Sequence, residues 1–181
     1  MRLFVAVDPP ASEVDALDAA IGARNSQLRW VAPAQWHLTL VFCGEVDVAL
    51  LPDLTSRLER AVARTDSLTV SLAGAGTFPR KPERARVLYV DVTGDRDALS
   101  MLAARCAAAV RRGGVAVEDR AFRPHLTIAR ARGDPVDASD LVARLASYAG
   151  QPWPVTTVRL VHSTLGAKVV HETVAEFALN S

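Results

Sequence analysis

The tetrapeptide HLTL occupies His37–Leu40, and HLTI occupies His125–Ile128, about half a chain later. Both lie in short runs, Trp36–Phe42 and Pro124–Ala129, in which aliphatic residues alternate with His and Thr, and such alternation reads as a strand. Side chains in a strand alternate between faces, so His37 and Thr39 share one face and Leu38 and Leu40 the other. His125 and Thr127 stand against Leu126 and Ile128 in the same way. Each strand therefore buries aliphatics on one side and offers an imidazole and a hydroxyl on the other. Two such strands facing each other would line one cleft with two histidines and two threonines.

Working outward, a recurring pattern of elements surrounds each copy. Leu3–Val7 reads as a strand stopped by Pro9 and Pro10. A helix is expected from Ala11 to about Gly22, with Val14, Leu17 and Ile21 at helical spacing and Glu13, Asp15 and Asp18 near its N-terminal end, where the helix dipole favours acids. Trp36–Phe42 is the strand of the first motif. Val48–Arg64 reads as a helix with Leu51, Leu54, Leu58 and Val62 on one face. Leu68–Leu72 and Val87–Val92 are strands, separated by a loop, GAGTFPRKPERAR, rich in Gly, Pro and Arg. Asp97–Arg112 is an Ala-rich helix ended by Gly113-Gly114. Pro124–Ala129 is the strand of the second motif, followed by a helix over Ala138–Tyr148 and strands over Val155–His162 and Thr173–Leu179. The order, βαβαββ then αβαββ, predicts two related lobes facing each other, one motif in each half.

Bulk properties narrow the class. The chain has 181 residues, half of them hydrophobic and 23% charged, which suits one globular domain or two small lobes packed as one. A chain of this length buries roughly two thirds of its unfolded surface without help from a disulfide or metal. The net charge of +1 excludes a general nucleic-acid coat, so a nucleic-acid ligand would be gripped locally. Cys43 and Cys106 form no disulfide framework and have no zinc-type spacing, which fits free thiols in a reducing compartment. No apolar run reaches the ~18 residues of a membrane span, and MRLFVAVDPP lacks the features of a signal peptide. A cytoplasmic protein, monomeric and without membrane contact, is expected.

The paired His-x-Thr face has a chemical meaning. Imidazole titrates near ~6.5, so two imidazoles on opposite sides of a phosphorus can serve as base and acid in an in-line displacement. Threonine hydroxyls, with a nearby Arg, can donate to non-bridging phosphate oxygens, where charge accumulates. One such pair alone is more often a polar strand face than a site. Two copies inside similar apolar strands favour the site. Neither a metal nor a cofactor is needed. A metal hydrolase is disfavoured because no two histidines are spaced to chelate from one element and no acid lies inside either motif.

RLFVAVDPP at the start, WHLTLVFCGEV around His37 and RPHLTIARAR around His125 resemble the 2H phosphoesterase superfamily, and within it the RNA 2′,3′-cyclic phosphodiesterases, also called 2′-5′ RNA ligase-like proteins. The resemblance spans essentially the whole chain. It implies a single bilobal α+β domain over residues 1–181, with two antiparallel sheets facing a central cleft and helices on the outer faces. It implies opening of RNA 2′,3′-cyclic phosphate ends to 2′-phosphomonoesters, with no metal or cofactor. His37 would be the proton donor to the 3′-oxygen and His125 the proton acceptor from water; the sequence itself does not orient the pair. Thr39 and Thr127 would hold the phosphate.

Further substrate contacts are expected from three residues. Arg130, two after Ile128, is expected on the face of His125 and Thr127 if the strand extends that far. Phe42 is an odd step from His37, so it reaches the cleft only if the strand ends or bulges near Cys43-Gly44. Phe78 and the arginines of FPRKPERAR lie in a loop where a base could stack and phosphates could pair. The stretch STLGAKVVHE departs from the family, whose loop here carries glycines and an aromatic residue. It has Gly166 but also Lys168 and His171, and its contacts to substrate are left open. His162 and His171 lack a Thr partner and read as surface or supporting histidines. Two competing readings remain: a nucleotide-binding module that keeps the cleft without turnover, and 2′-5′ RNA ligation as the main activity.

Overall fold

The computed structural model describes residues 1–181. In chain order the elements are β1 (Arg2–Val7), α1 (Ala11–Ile21), β2 (Leu28–Trp30), β3 (Leu38–Glu45), α2 (Leu51–Val62), β4 (Leu68–Phe78), β5 (Val87–Gly94), α3 (Arg96–Arg112), β6 (His125–Ala131), α4 (Ser139–Leu145), β7 (Trp153–Val155), β8 (Thr157–Thr164) and β9 (Val170–Ala178). The strands run β7-β4-β5-β6-β3-β1-β8-β9, with the short β2 added to β6, and every pairing between them is antiparallel. The expected α+β architecture of two lobes around a cleft is present.

The strands of the two lobes are joined by one residue pair, beneath which they share a continuous core. Strands β3 and β6 pair only at Leu38↔Leu126, the residue after each histidine. One lobe holds β1, β3, β8 and β9; the other holds β2, β4, β5, β6 and β7. Helices α2 and α3 pack together over the first lobe, against β9 and β3, while α4 packs on β4 with α1 beside it. The lobes are therefore not the two halves of the chain, as the order of elements had predicted. The chain crosses between them repeatedly, and the last two strands return to the lobe of the first. Sequential halves are the simpler reading, but β1 and β8 pair directly and close the first lobe.

Burial follows the periodicity of each element. Leu54, Leu58 and Val62 of α2 form a stripe that is fully buried, and so do Leu99, Leu102, Cys106 and Val110 of α3. In β1, Leu3, Val5 and Val7 join the main core, whereas Phe4 and Ala6 form a separate small cluster with Val161 on the cleft side. One acid departs from expectation. Glu13 is 5% exposed, not a solvated dipole partner, because its carboxylate accepts a 2.6 Å hydrogen bond from the Gln151 backbone N–H. The loop expected over 74–86 is also shorter, since β4 runs on through Phe78.

Candidate active site

The Leu38↔Leu126 bridge fixes how the two motifs face each other. On that antiparallel register His37 comes across from Thr127, and Thr39 across from His125. Facing side chains in such a pair have Cβ atoms about 4.5–5.5 Å apart. Each lobe thus sets its imidazole against the hydroxyl of the other. All four side chains are half-buried, between the two sealed lobes and the open cleft.

The two histidines are held in the same way. His37 Nδ1 lies 2.7 Å from the Gln35 carbonyl oxygen, and His125 Nδ1 lies 2.6 Å from that of Arg123. A carbonyl oxygen only accepts, so both Nδ1 atoms carry hydrogen and the Nε2 atoms are left for chemistry. One step beyond Val7↔Leu38, Asp8 comes across from His37; Asp91 pairs directly with His125. Asp8 is held by Arg159 at 2.5 Å and Asp91 by Arg96 at 3.1 Å. Burial lowers the pKa of His37 from 6.5, and His171 and Arg159 lower it further, against the Gln35 hydrogen bond and Asp8. Burial also lowers that of His125, with Arg130, against the Arg123 hydrogen bond and Asp91.

Aromatic rings line both sides. Phe4 stacks on His37 at 4.7 Å with an interplanar angle of 24°. On the other side His125 meets Phe78 at 5.1 Å and Tyr89 at 5.4 Å, both edge to face, and Phe78 and Tyr89 pack together at 4.6 Å. Phe78 is therefore a strand residue against the second histidine, not a loop residue. Tyr89 has room because Gly76 lies directly across from it; a Cβ there would come within 2.5 Å of the Tyr89 hydroxyl oxygen. Gly76→Ala is expected to displace the Tyr89 ring and with it the wall against His125. Turnover should fall well below that of a Tyr89→Phe variant, while the melting temperature drops only a few degrees. Equal activity of G76A and the unaltered protein would show that this wall is dispensable.

Phe42 and Arg130 reach the cleft through the same device. In β3, Ala6 pairs with Thr39 and Val5 with Val41, so Leu40 is an extra residue. In β6, Tyr89 pairs with Thr127 and Leu88 with Ala129, so Ile128 is extra. Each bulge buries two consecutive apolar residues and resets the alternation. Phe42 then points to the cleft side, 64% exposed and 6.5 Å from Phe4. A second irregularity lies where it was expected, near Cys43-Gly44, since Leu3 pairs with Gly44 and Phe4 with Phe42 and Cys43 is extra; it follows Phe42, so the bulge at Leu40 is the one that turns Phe42 relative to His37. Arg130 reaches the expected face, but not by simple alternation. Residue 130 is five after His125, an odd step, and an unbroken strand would turn it away; the bulge at Ile128 brings it back to the face of Val87, Tyr89 and Thr127.

The remaining histidines separate. His162 lies on the opposite face, 3.7 Å from Glu172. His171 packs against His37 at 5.5 Å and Phe4 at 5.1 Å, a supporting position. Its loop is tied to the first motif by Gln35 Nε2, which donates to the Val169 carbonyl oxygen at 2.6 Å. Phe4, Tyr89, Asp8 and Asp91 were not singled out from sequence. For the two acids a signal existed: VAVD at 5–8 and LYVD at 88–91 echo each other as the tetrapeptides do. No group of three His, Cys, Asp or Glu side chains is gathered to hold a metal ion, and no helix is long and apolar enough to cross a membrane.

A curled antiparallel sheet that brings two His-x-Thr strands to one cleft defines an enzyme of the phosphoesterase class. The chain belongs to the 2′-5′ RNA ligase superfamily, whose family model matches residues 6–167. It is similar to an RNA 2′,3′-cyclic phosphodiesterase of Archaeoglobus fulgidus, 29% identical over 93% of this chain and 94% of that one. Among solved structures it is similar to a Thermus thermophilus protein, with a TM-score of 0.82, 28% identity and coverage of 99% of this chain and 98% of that one. Escherichia coli LigT in its apo form gives 0.78 and 26% over 99% and 98%, and LigT has also been crystallised with 3′-AMP.

Proposed function

We propose that this protein hydrolyses 2′,3′-cyclic phosphate ends of RNA to 2′-phosphomonoesters, with His37 as proton donor and His125 as proton acceptor and without a metal ion. The observation that carries this reading is the pairing at Leu38↔Leu126, which sets an imidazole and a hydroxyl from each lobe around one point. With the cyclic phosphorus there, His125 Nε2 takes a proton from water as it attacks opposite the 3′-oxygen. His37 delivers its proton to that oxygen as the P–O3′ bond breaks. Thr39 and Thr127 donate to the two non-bridging oxygens, which gather charge in the transition state. The phenyl face of Phe4 against His37 favours the imidazolium that an acid needs. Phe42 and Phe78 offer apolar faces to the sugar and base, and Arg130 a cation to phosphate. The name of the Archaeoglobus relative and the nucleotide bound by LigT support the same substrate class.

The test is product analysis in EDTA, with adenosine 2′,3′-cyclic phosphate and a short RNA ending in the cyclic phosphate. Exclusive formation of the 2′-monophosphate is expected. Binding without turnover would favour a nucleotide-binding module, and turnover restored only by a divalent metal would end the metal-free reading.

The pH dependence follows from the two lowered pKa values. A base must be neutral, so kcat/KM rises with pH through its pKa; an acid must be charged, so kcat/KM falls as pH passes its pKa. Both histidines of the free enzyme lie below 6.5, so the kcat/KM maximum is expected on the acid side of 6.5. The bound phosphate anion raises both pKa values, so the kcat profile should sit at higher pH. The limbs belong to the pair as a whole. A kcat/KM maximum above pH 8 would contradict this.

A further inference from the structure

Five arginines hold carboxylates: Arg24, Arg57, Arg96, Arg120 and Arg159. Arg29 and Arg130 hold none, yet they are direct partners across β2 and β6. Partners in an antiparallel pair share a face. Leu28 and Trp30 alternate toward the core side with Ala131 and Ala129, which leaves Arg29 on the cleft side with Arg130. Like charges placed so are destabilising unless an anion joins them. The Arg130 pKa is lowered, by burial first and then by Arg29, as expected of a guanidinium crowded by another cation.

We propose that Arg29 and Arg130 form a second anion site that binds the phosphodiester on the 5′ side of the terminal nucleotide. This deepens the reading above and rests on it: the substrate is then an RNA end and not a free cyclic mononucleotide. Arg130 lies three residues beyond Thr127, at most ~10 Å along the strand, so the pair flanks the reacting phosphate instead of surrounding it. The pair stands on the lobe that supplies His125. Two planar guanidinium forks side by side match the oxygens of one phosphodiester, and β2 gives Arg29 this position with a strand of only three residues, Leu28–Trp30. The nearest acid on the same face of the neighbouring strand is Asp91, which Arg96 already holds.

The experiment compares adenosine 2′,3′-cyclic phosphate with the dinucleotide ApA ending in the same cyclic phosphate. A third substrate is that dinucleotide with an uncharged methylphosphonate linkage. The unaltered enzyme should prefer the charged dinucleotide by about tenfold in kcat/KM, mostly through KM. The methylphosphonate should lose that preference. In Arg29→Ala the ratio of dinucleotide to mononucleotide should fall toward one. The salt dependence for the dinucleotide should become shallower by about 0.7 in log–log slope. A ratio unchanged in R29A, or no loss with the neutral linkage, would overturn the proposal. No turnover of either substrate by the unaltered enzyme would instead fail the catalytic reading. Calorimetric binding of ApA ending in a 2′-phosphate, with and without Arg29, would then decide the site: an affinity unchanged in R29A overturns it, and a tenfold loss upholds it.

Discussion

His37→Ala and His125→Ala are each expected to lose ~10²–10⁴ in kcat, with little change in KM or melting temperature. The size follows from the proposed role, in which each imidazole moves one proton in the transition state and makes no covalent bond. The fold should survive because both rings sit on the cleft side of the sheet, away from the continuous core of 42 buried residues. The hydrogen bond that each ring makes inside the protein is to a backbone carbonyl, of Gln35 or of Arg123, which water can satisfy, and the aromatic neighbours it exposes face the open cleft. The double variant should be little worse than the weaker single one, because an acid and a base acting in one step are not additive. Circular dichroism, thermal melts and steady-state rates on one cyclic substrate check all of this. A variant with a tenth or more of the original kcat would remove that histidine from the acid–base pair.

Thr39→Val and Thr127→Val should each lose about 10–10³-fold in kcat. Valine keeps the β-branched shape that suits a strand, so only the hydroxyl is deleted. Neither hydroxyl is used inside the protein, and each faces the histidine of the opposite lobe. The loss should fall on kcat and not on KM, because the charge that the hydroxyl meets develops in the transition state. Equal losses from the two variants would fit the near-twofold arrangement. An unchanged kcat in either variant would mean that the phosphate is held elsewhere.

Much of this site was legible in the chain because alternation in a strand is strict. HLTL and HLTI placed imidazole and hydroxyl on one face and aliphatics on the other without further information. What was not legible depends on how strands pair, which the run of residues in one strand does not carry. The bulges at Leu40 and Ile128 leave no mark in sequence, since each adds one apolar residue to an apolar run, and they decide where Phe42 and Arg130 point. The stretch through Gly74 and Gly76 reads as loop from composition; it lies in a strand whose register shifts around Gly74, at φ 74°, and resumes at Ala75, with Gly76 leaving its side-chain space to the Tyr89 ring. Strand β2 has three residues, too few for a period, and its Arg29 gains meaning only across from Arg130. The interleaving of the lobes was hidden because strands of both have the same apolar character. The echo of VAVD and LYVD was in view, and it carries the twofold relation of the motifs out to a second pair of strands.

The central claim, an acid on one lobe and a base on the other, is tested most directly by changing the leaving group. A 2′-phosphodiester of 3′-deoxyadenosine with 4-nitrophenol as leaving group needs no proton at the departing oxygen. His37→Ala should turn it over within about tenfold of the unaltered enzyme, while His125→Ala should remain impaired by ~10² or more. Equal impairment of the two variants on this substrate, matching their losses on the cyclic phosphate, would contradict the account.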